Sequence, residues 1–138
     1  IFKELIIKMA SSELIKNAEA LISIDARGFV FGSAIALQTL KPMIVARKPG
    51  KLPGEVIKKE YNLEYGDNVL TVQKNSIKKF NSFVIIDDLI ATGGTAECVS
   101  KILEENNKIV TGLLVVVELN KLGGSLKFNY PIESILKY

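Results

Sequence analysis

Residues 83–95 read Phe83-Val84-Ile85-Ile86-Asp87-Asp88-Leu89-Ile90-Ala91-Thr92-Gly93-Gly94-Thr95. The string divides into three physical parts. Phe83 to Ile86 is a continuous apolar run, and continuous rather than alternating apolarity marks a strand covered on both faces. Asp87 and Asp88 end that run, and two adjacent carboxylates repel each other unless cations or hydroxyls meet them. Ala91 to Thr95 is a loop of small residues opening a helix expected over 92–106. Its glycines let the backbone curl so that N–H groups converge on an anion at the helix N-terminus, and Thr92 and Thr95 add hydroxyls. The sequence Gly-Lys-Ser/Thr is missing, so this is not a P-loop. An anion cradle beside two acids suits a sugar phosphate: the loop takes the phosphate, and the carboxylates accept hydrogen bonds from ribose hydroxyls.

Working outward, the pattern predicts a helix over 11–20 with Ser11 or Ser12 as N-cap, a strand over 21–25 and a helix over 28–40. Further strands are expected over 42–46, 69–72, 83–86, 109–119 and 132–136. Arg47 to Tyr65 breaks every period with two prolines and two glycines, and is read as a long loop. Strand, turn, helix, strand is the recurring order, so the fold expected for residues 1–138 is a single α/β domain with a mainly parallel central sheet flanked by helices. Ligands in such folds sit beyond the carboxyl ends of the strands. Asp25, Arg47 and the Asp87–Asp88 pair follow strands at that end, so three distant segments are expected to converge on one crevice.

Composition narrows the chemistry. The 138 residues include no histidine, one cysteine and no tryptophan. Nucleophile pairs that need histidine are excluded, and Cys98 alone builds neither a zinc site nor an intramolecular disulfide. Catalysis must run on carboxylates, lysine, arginine, hydroxyls, backbone amides or a metal held by oxygen. Sixteen lysines stand against two arginines, Arg27 and Arg47, in a chain of net charge +3. Spread as they are, the lysines read as solvated surface, and no nucleic-acid partner is expected. Arginine does what lysine does badly, which is bidentate recognition of phosphate or carboxylate. The apolar stretch around Leu113 to Val117 stops at Glu118, far short of the ~20 residues of a membrane span. A lone cysteine favours a reducing compartment, so a cytoplasmic location and no membrane partner are expected.

The string 83–95 resembles the phosphoribosyl-pyrophosphate motif of type I phosphoribosyltransferases. That resemblance implies Mg2+ and transfer of ribose 5-phosphate from the pyrophosphate donor to a nitrogen base; the same motif occurs in regulators that bind the donor without turning it over. Two further blocks narrow the likeness: Asp25-Ala26-Arg27-Gly28-Phe29-Val30-Phe31-Gly32, and Ala46-Arg47-Lys48-Pro49-Gly50-Lys51-Leu52-Pro53-Gly54 running on to Tyr61-Asn62-Leu63-Glu64-Tyr65-Gly66. Together the three resemble the adenine-using branch of that family, although a branch using another purine stays open.

The resemblance implies a set of roles. Asp25, Ala26 and Arg27 form the pyrophosphate loop. Arg47, Lys48 and Lys51 are basic groups near the pyrophosphate and a long mobile catalytic loop. Glu64 on that loop manages a proton on the base, and Tyr65 closes over the site. Asp87 and Asp88 bind the ribose, and Ala91, Thr92, Gly93, Gly94 and Thr95 cradle the 5′-phosphate. Glu64, Arg27 and Asp88 are the catalytic candidates. Ile1, Phe2 and Lys3 resemble an N-terminal hood bordering adenine, shortened because the segment from Phe2 to Asp25 is brief for this family. Phe29 is read as core packing or as a wall of the base pocket. No residue is assigned as a direct metal ligand: Mg2+ comes with the donor. The partners implied are phosphoribosyl pyrophosphate, adenine and a second copy of the chain in a homodimer. The residues agree with this chemistry on their own terms, because a departing diphosphate and a ribosyl cation are stabilised by fixed cations and dipoles without any histidine.

Overall fold

A computed structural model describes residues 1–61 and 68–138, so Glu64 and Tyr65 lie outside the described residues. Seven strands among those residues form one sheet: β1 (Ala20–Ile24), β2 (Met43–Arg47), β3 (Val56–Tyr61), β4 (Asn68–Gln73), β5 (Ser82–Ile90), β6 (Ile109–Glu118) and β7 (Ile132–Lys137). Their order is β3-β4-β2-β1-β5-β6-β7. Pairings from β2 through β1, β5 and β6 to β7 are parallel. β4 pairs antiparallel with β2 and β3. The helices are α1 (Phe2–Ala10), α2 (Glu13–Lys16), α3 (Arg27–Thr39), α4 (Lys74–Lys78) and α5 (Gly94–Glu105). The mainly parallel α/β sheet expected from the sequence is the fold observed.

Every residue of β1 is buried, as a strand covered on both faces requires. Alternate side chains feed two separate cores. Ile22, Ile24, Phe83 and Ile85 join Val99, Ile102 and Leu103 of α5 on one face. Leu21, Val84 and Ile86 join Ile6 and Met9 of α1 and Ile35 of α3 on the other.

Three local readings need correction. The helix expected over 11–20 is only the single turn of α2, and a different helix, α1, precedes it. Ser12 is its N-cap, accepting from Leu14 N at 3.1 Å. The chain must turn early because β1 already starts at Ala20. The long loop expected over 47–65 contains β3, which pairs with β4 from Val56↔Gln73 to Tyr61↔Asn68. Its period was hidden because Lys59 occupies an inward position, reaching Glu105 of α5 with its ammonium. Finally, β5 runs past Ile86 to Ile90, so Asp87 and Asp88 lie within the strand rather than after it.

That last difference makes the crevice. Pairing of β5 with β1 ends at Ser23↔Ile86, while pairing with β6 continues from Asp87↔Val115 to Ile90↔Glu118. Beyond the end of β1, one edge of β5 is left open. This is also where the connections diverge to the two sides of the sheet, the place where open α/β sheets bind ligands.

The turn from α2 into β1 is held by one cation. Lys41 Nζ donates to the carbonyl oxygens of Ile15 (2.6 Å), Ala18 (2.6 Å) and Lys16 (3.3 Å). Hydrogen bonds to a charged group contribute more than neutral ones. Lys41→Met is therefore expected to lower the unfolding free energy by about 2 kcal/mol in a urea titration; an unchanged midpoint and slope would show that the three carbonyls are served equally well by water.

Candidate functional site

A cavity of about 420 Å³ opens at the exposed edge of β5, within the usual range for small-molecule sites. Its walls come from the β1–α3 turn (Asp25, Ala26, Arg27), the end of β5 (Asp87 to Ile90), the loop Ala91 to Thr95, and Tyr61 of β3. The distant blocks picked out in the sequence thus meet at one place, the third through Tyr61, while Arg47 of that block stands off the cavity wall and bonds to Asp25 behind it.

Asp87 is buried, and its Oδ1 accepts a hydrogen bond from Asp88 N at 2.8 Å. Burial above all, and then the neighbouring Asp88 carboxyl, push Asp87 up to about 8, with Arg27 opposing. Asp88 is more open, and its Oδ2 accepts from Arg27 Nε at 2.5 Å. Arg27 opens α3 with a largely exposed side chain, free to turn toward an incoming anion. On the far side of the β1 turn, Asp25 Oδ2 accepts from Arg47 Nε at 3.3 Å and from Lys48 N at 3.5 Å. The Arg47 guanidinium also lies 5.5 Å from the centroid of the Phe29 ring, a cation–π arrangement. The Asp25–Ala26 peptide is cis. Each arginine is thus held by one of the crevice acids.

The loop after β5 has the form an anion cradle needs. Gly93 takes φ +85°, a left-handed conformation that suits glycine. Twelve-residue α5 then starts at Gly94. The first N–H groups of a helix have no partner within it, and here Gly94, Thr95 and Ala96 stand on the cavity wall. Exposed N–H groups and the helix dipole both favour negative charge at that point.

Not every candidate reaches the cavity. Lys48 and Lys51 are exposed beyond β2, and Phe29 is half-buried beneath Arg47. Ile1, Phe2 and Lys3 are exposed, with the Phe2 ring 5.9 Å from Phe31. Phe2 and Lys3 lie in the first turn of α1, and none of the three is on the cavity wall. Tyr61 was not singled out from the sequence. A methyl group built on Gly94 would lie 3.4 Å from its ring. Burial first, then negative charge on Cys98 and Asp87, hold its hydroxyl above the ordinary tyrosine range. Its place in the Tyr-Asn-Leu-Glu-Tyr run was the available signal. Cys98 is buried, with its Sγ–H donating to Lys59 O. No helix among the described residues is long and apolar enough to cross a membrane.

The family described as "Phosphoribosyl transferase domain" matches residues 2–126. An adenine phosphoribosyltransferase of Prochlorococcus marinus (strain MIT 9515) is 66% identical over 138 residues, all of this chain and 81% of that protein. Among solved structures, the adenine phosphoribosyltransferase of Thermoanaerobacter pseudethanolicus superposes with a TM-score of 0.89 at 34% identity, covering 99% of this chain and 80% of that one. That of Saccharomyces cerevisiae, solved with adenine and an imino-altritol bisphosphate, gives 0.87 at 34% identity over 98% of this chain and 79% of its own.

Asp87 carries a testable consequence. Its folded value near 8 lies far above the 3.8 of a free aspartate. The folded chain therefore keeps a proton that the unfolded chain gives up. The stability this contributes is complete below about pH 4 and is lost as pH rises through about 8. Asp87→Asn removes the penalty while leaving an acceptor for Asp88 N. Its thermal midpoint is expected to exceed the parent's by about 4 °C at about pH 8.5, with a much smaller difference at about pH 5. A difference that does not grow with pH would contradict the buried, proton-holding Asp87.

Proposed function

The chain belongs to the phosphoribosyl transferase family, among its adenine phosphoribosyltransferases, and from that membership we propose how its residues divide the work. The reaction transfers ribose 5-phosphate from 5-phosphoribosyl 1-pyrophosphate to adenine, giving AMP and pyrophosphate in purine salvage. The observation that carries the residue assignments is the meeting of two adjacent acids and a glycine cradle on one open edge of β5.

In this reading the 5′-phosphate lies on the N–H groups and hydroxyls of Ala91 to Thr95, where the dipole of α5 offsets its charge. Asp87 and Asp88 accept from the ribose hydroxyls. Arg27 leaves Asp88 for the diphosphate, beside the Asp25–Ala26 turn, while Arg47, Lys48 and Lys51 set a positive field at the mouth. The bond from the anomeric carbon to diphosphate oxygen breaks as the carbon–nitrogen bond to adenine forms. Negative charge grows on the departing diphosphate, where fixed cations are already in place. The proton lost from the base nitrogen goes to Glu64, with Tyr65 covering the site against water. Phe29 and the hood residues Ile1, Phe2 and Lys3 are assigned to the border of the base.

The donor set fits Mg2+ as a companion of the donor. No group of three metal-binding side chains occurs among the described residues, so the Asp87 and Asp88 carboxylates on the cavity wall would meet Mg2+ only together with the donor's own phosphate oxygens. When bound, the ion offsets diphosphate charge. We also assign residues 1–138 to one working domain, in a cytoplasmic homodimer. Val30 and Leu37 of α3 and its C-cap Leu40, with Phe2 and Ile7 of α1, are exposed apolar groups of the kind a second copy covers. The buried, unpaired Cys98 suits a reducing compartment.

Nucleotide formation from the donor and Mg2+ with adenine, hypoxanthine, guanine or xanthine tests the choice of base. AMP is the expected product, and nucleotide from hypoxanthine but not adenine would overturn it. Arg27→Ala and Asp88→Ala are each expected to lower kcat/KM by on the order of 10²-fold or more. Glu64→Gln should lower kcat while leaving donor KM within about threefold; an unchanged kcat would remove Glu64 from proton transfer.

A further inference from the structure

Behind the cradle runs a second pair of glycines, Gly123 and Gly124, between two short 3-10 turns, Asn120–Leu122 and Gly124–Leu126. None of the roles above uses them, and among the described residues the cavity wall includes none of 120–126. Yet Gly124 is buried and presses on the cradle from the rear. A methyl group built on Gly124 would lie 2.2 Å from Ala91 O and 2.7 Å from Gly93 N. The contact is mutual, since a methyl group on Gly93 would lie 2.6 Å from Gly124 O. Only two bare backbones fit there.

The turn that carries Gly124 has little room to retreat. Leu119 N donates to Ile90 O at 3.0 Å, tying its start to the end of β5. Asn120 N donates to Tyr138 O at 2.7 Å, and Tyr138 N returns a bond to Glu118 O at 2.8 Å. Lys127 N donates to Gly124 O at 3.2 Å. One residue further on, Phe128 is buried in the core with α5. The rear wall is therefore anchored to the same strands that position the two acids.

We infer that Gly124 is a positioning residue for the phosphate cradle: it touches no substrate, and its bare backbone sets where Ala91 to Gly93 lie and hence where the cradle N–H groups aim. The inference rests on the reading of that loop as the 5′-phosphate site. A cradle made of backbone N–H groups has no side chain to readjust, so a displacement of the loop passes directly into the ligand geometry, where errors near 1 Å carry large penalties.

Gly123 supplies the control. It takes φ +66°, so a side chain strains the turn, but a methyl group there meets nothing closer than Leu126 Cδ1 at 3.8 Å. Gly123→Ala thus perturbs the turn without pushing on Ala91. Calorimetric titration with Mg2+ and 5-phosphoribosyl 1-pyrophosphate, with no base present, separates the two. Gly124→Ala is expected to weaken donor binding and raise donor KM by about tenfold or more, with adenine KM within about threefold. Gly123→Ala should stay within about threefold of the parent in donor binding. Parent-like donor binding by Gly124→Ala, or equal weakening by both variants, would overturn the inference. Amide exchange on the unmodified chain decides the matter even if Gly124→Ala does not fold: the donor should slow exchange across 122–126 together with 92–95, and no change at 122–126 would overturn it. Failure of the parent itself to bind the donor would strike the phosphate-site reading rather than the role of Gly124 within it.

Discussion

Asp87 holds a buried carboxyl within β5, beside the central strand β1, and the cost of keeping it there organises the surroundings. Its near neighbour Asp88 makes a second charge worse, Arg27 answers Asp88, and the Asp88 N–H answers Asp87. The result is a crevice whose electrostatics are unfinished without a ligand. In the proposed function, ribose hydroxyls and a cation are the partners that let both acids ionise. The geometry follows from strand lengths. β1 stops pairing at Ser23 while β5 runs on to Ile90 against β6, so the acids lie on an open edge and the cradle lies at its tip. One rigid strand thus sets the spacing between the proposed ribose and phosphate sites.

The chemistry follows from the same economy of parts. The chain has no histidine, and the arrangement gives it no need of one. Charge is managed by arginines parked on acids, by helix N–H groups and by the dipole of α5. Arg27 and Arg47, two residues among eighteen basic ones, are each held by a carboxylate of the crevice. Ion pairs this open contribute little to stability; in the proposed function their value is that a guanidinium is kept near the place where diphosphate charge develops.

Much of this was legible in the sequence, for reasons tied to particular residues. β1, β5 and β6 are largely buried on both faces, so each carries an apolar run that is easily read. The string from Asp87 to Thr95 announces its own chemistry because acids and a glycine pair after an apolar run are costly anywhere but a site. Other parts were hidden. β3 carries an inward lysine, Lys59, whose partner Glu105 is far away in the chain, so alternation fails locally. α1 begins without a side-chain cap, and its stripe of Leu5, Ile6 and Met9 gains meaning only against α3. The extension of β5 through two aspartates is set by β6 alongside it, and no local pattern encodes that. Gly123–Gly124 looks like any turn until the backbone of Ala91 is seen against it.

The central claim is that the open edge of β5 binds the ribose phosphate, with Asp87 and Asp88 on the sugar and Ala91 to Thr95 on the phosphate. A crystal structure of the chain with AMP tests it most directly. The account predicts phosphate oxygens within hydrogen-bonding distance of N–H groups from Thr92 to Thr95, and both ribose hydroxyls on the carboxylates of Asp87 and Asp88. A nucleotide bound with its phosphate elsewhere, or with its sugar turned away from those two acids, would contradict it.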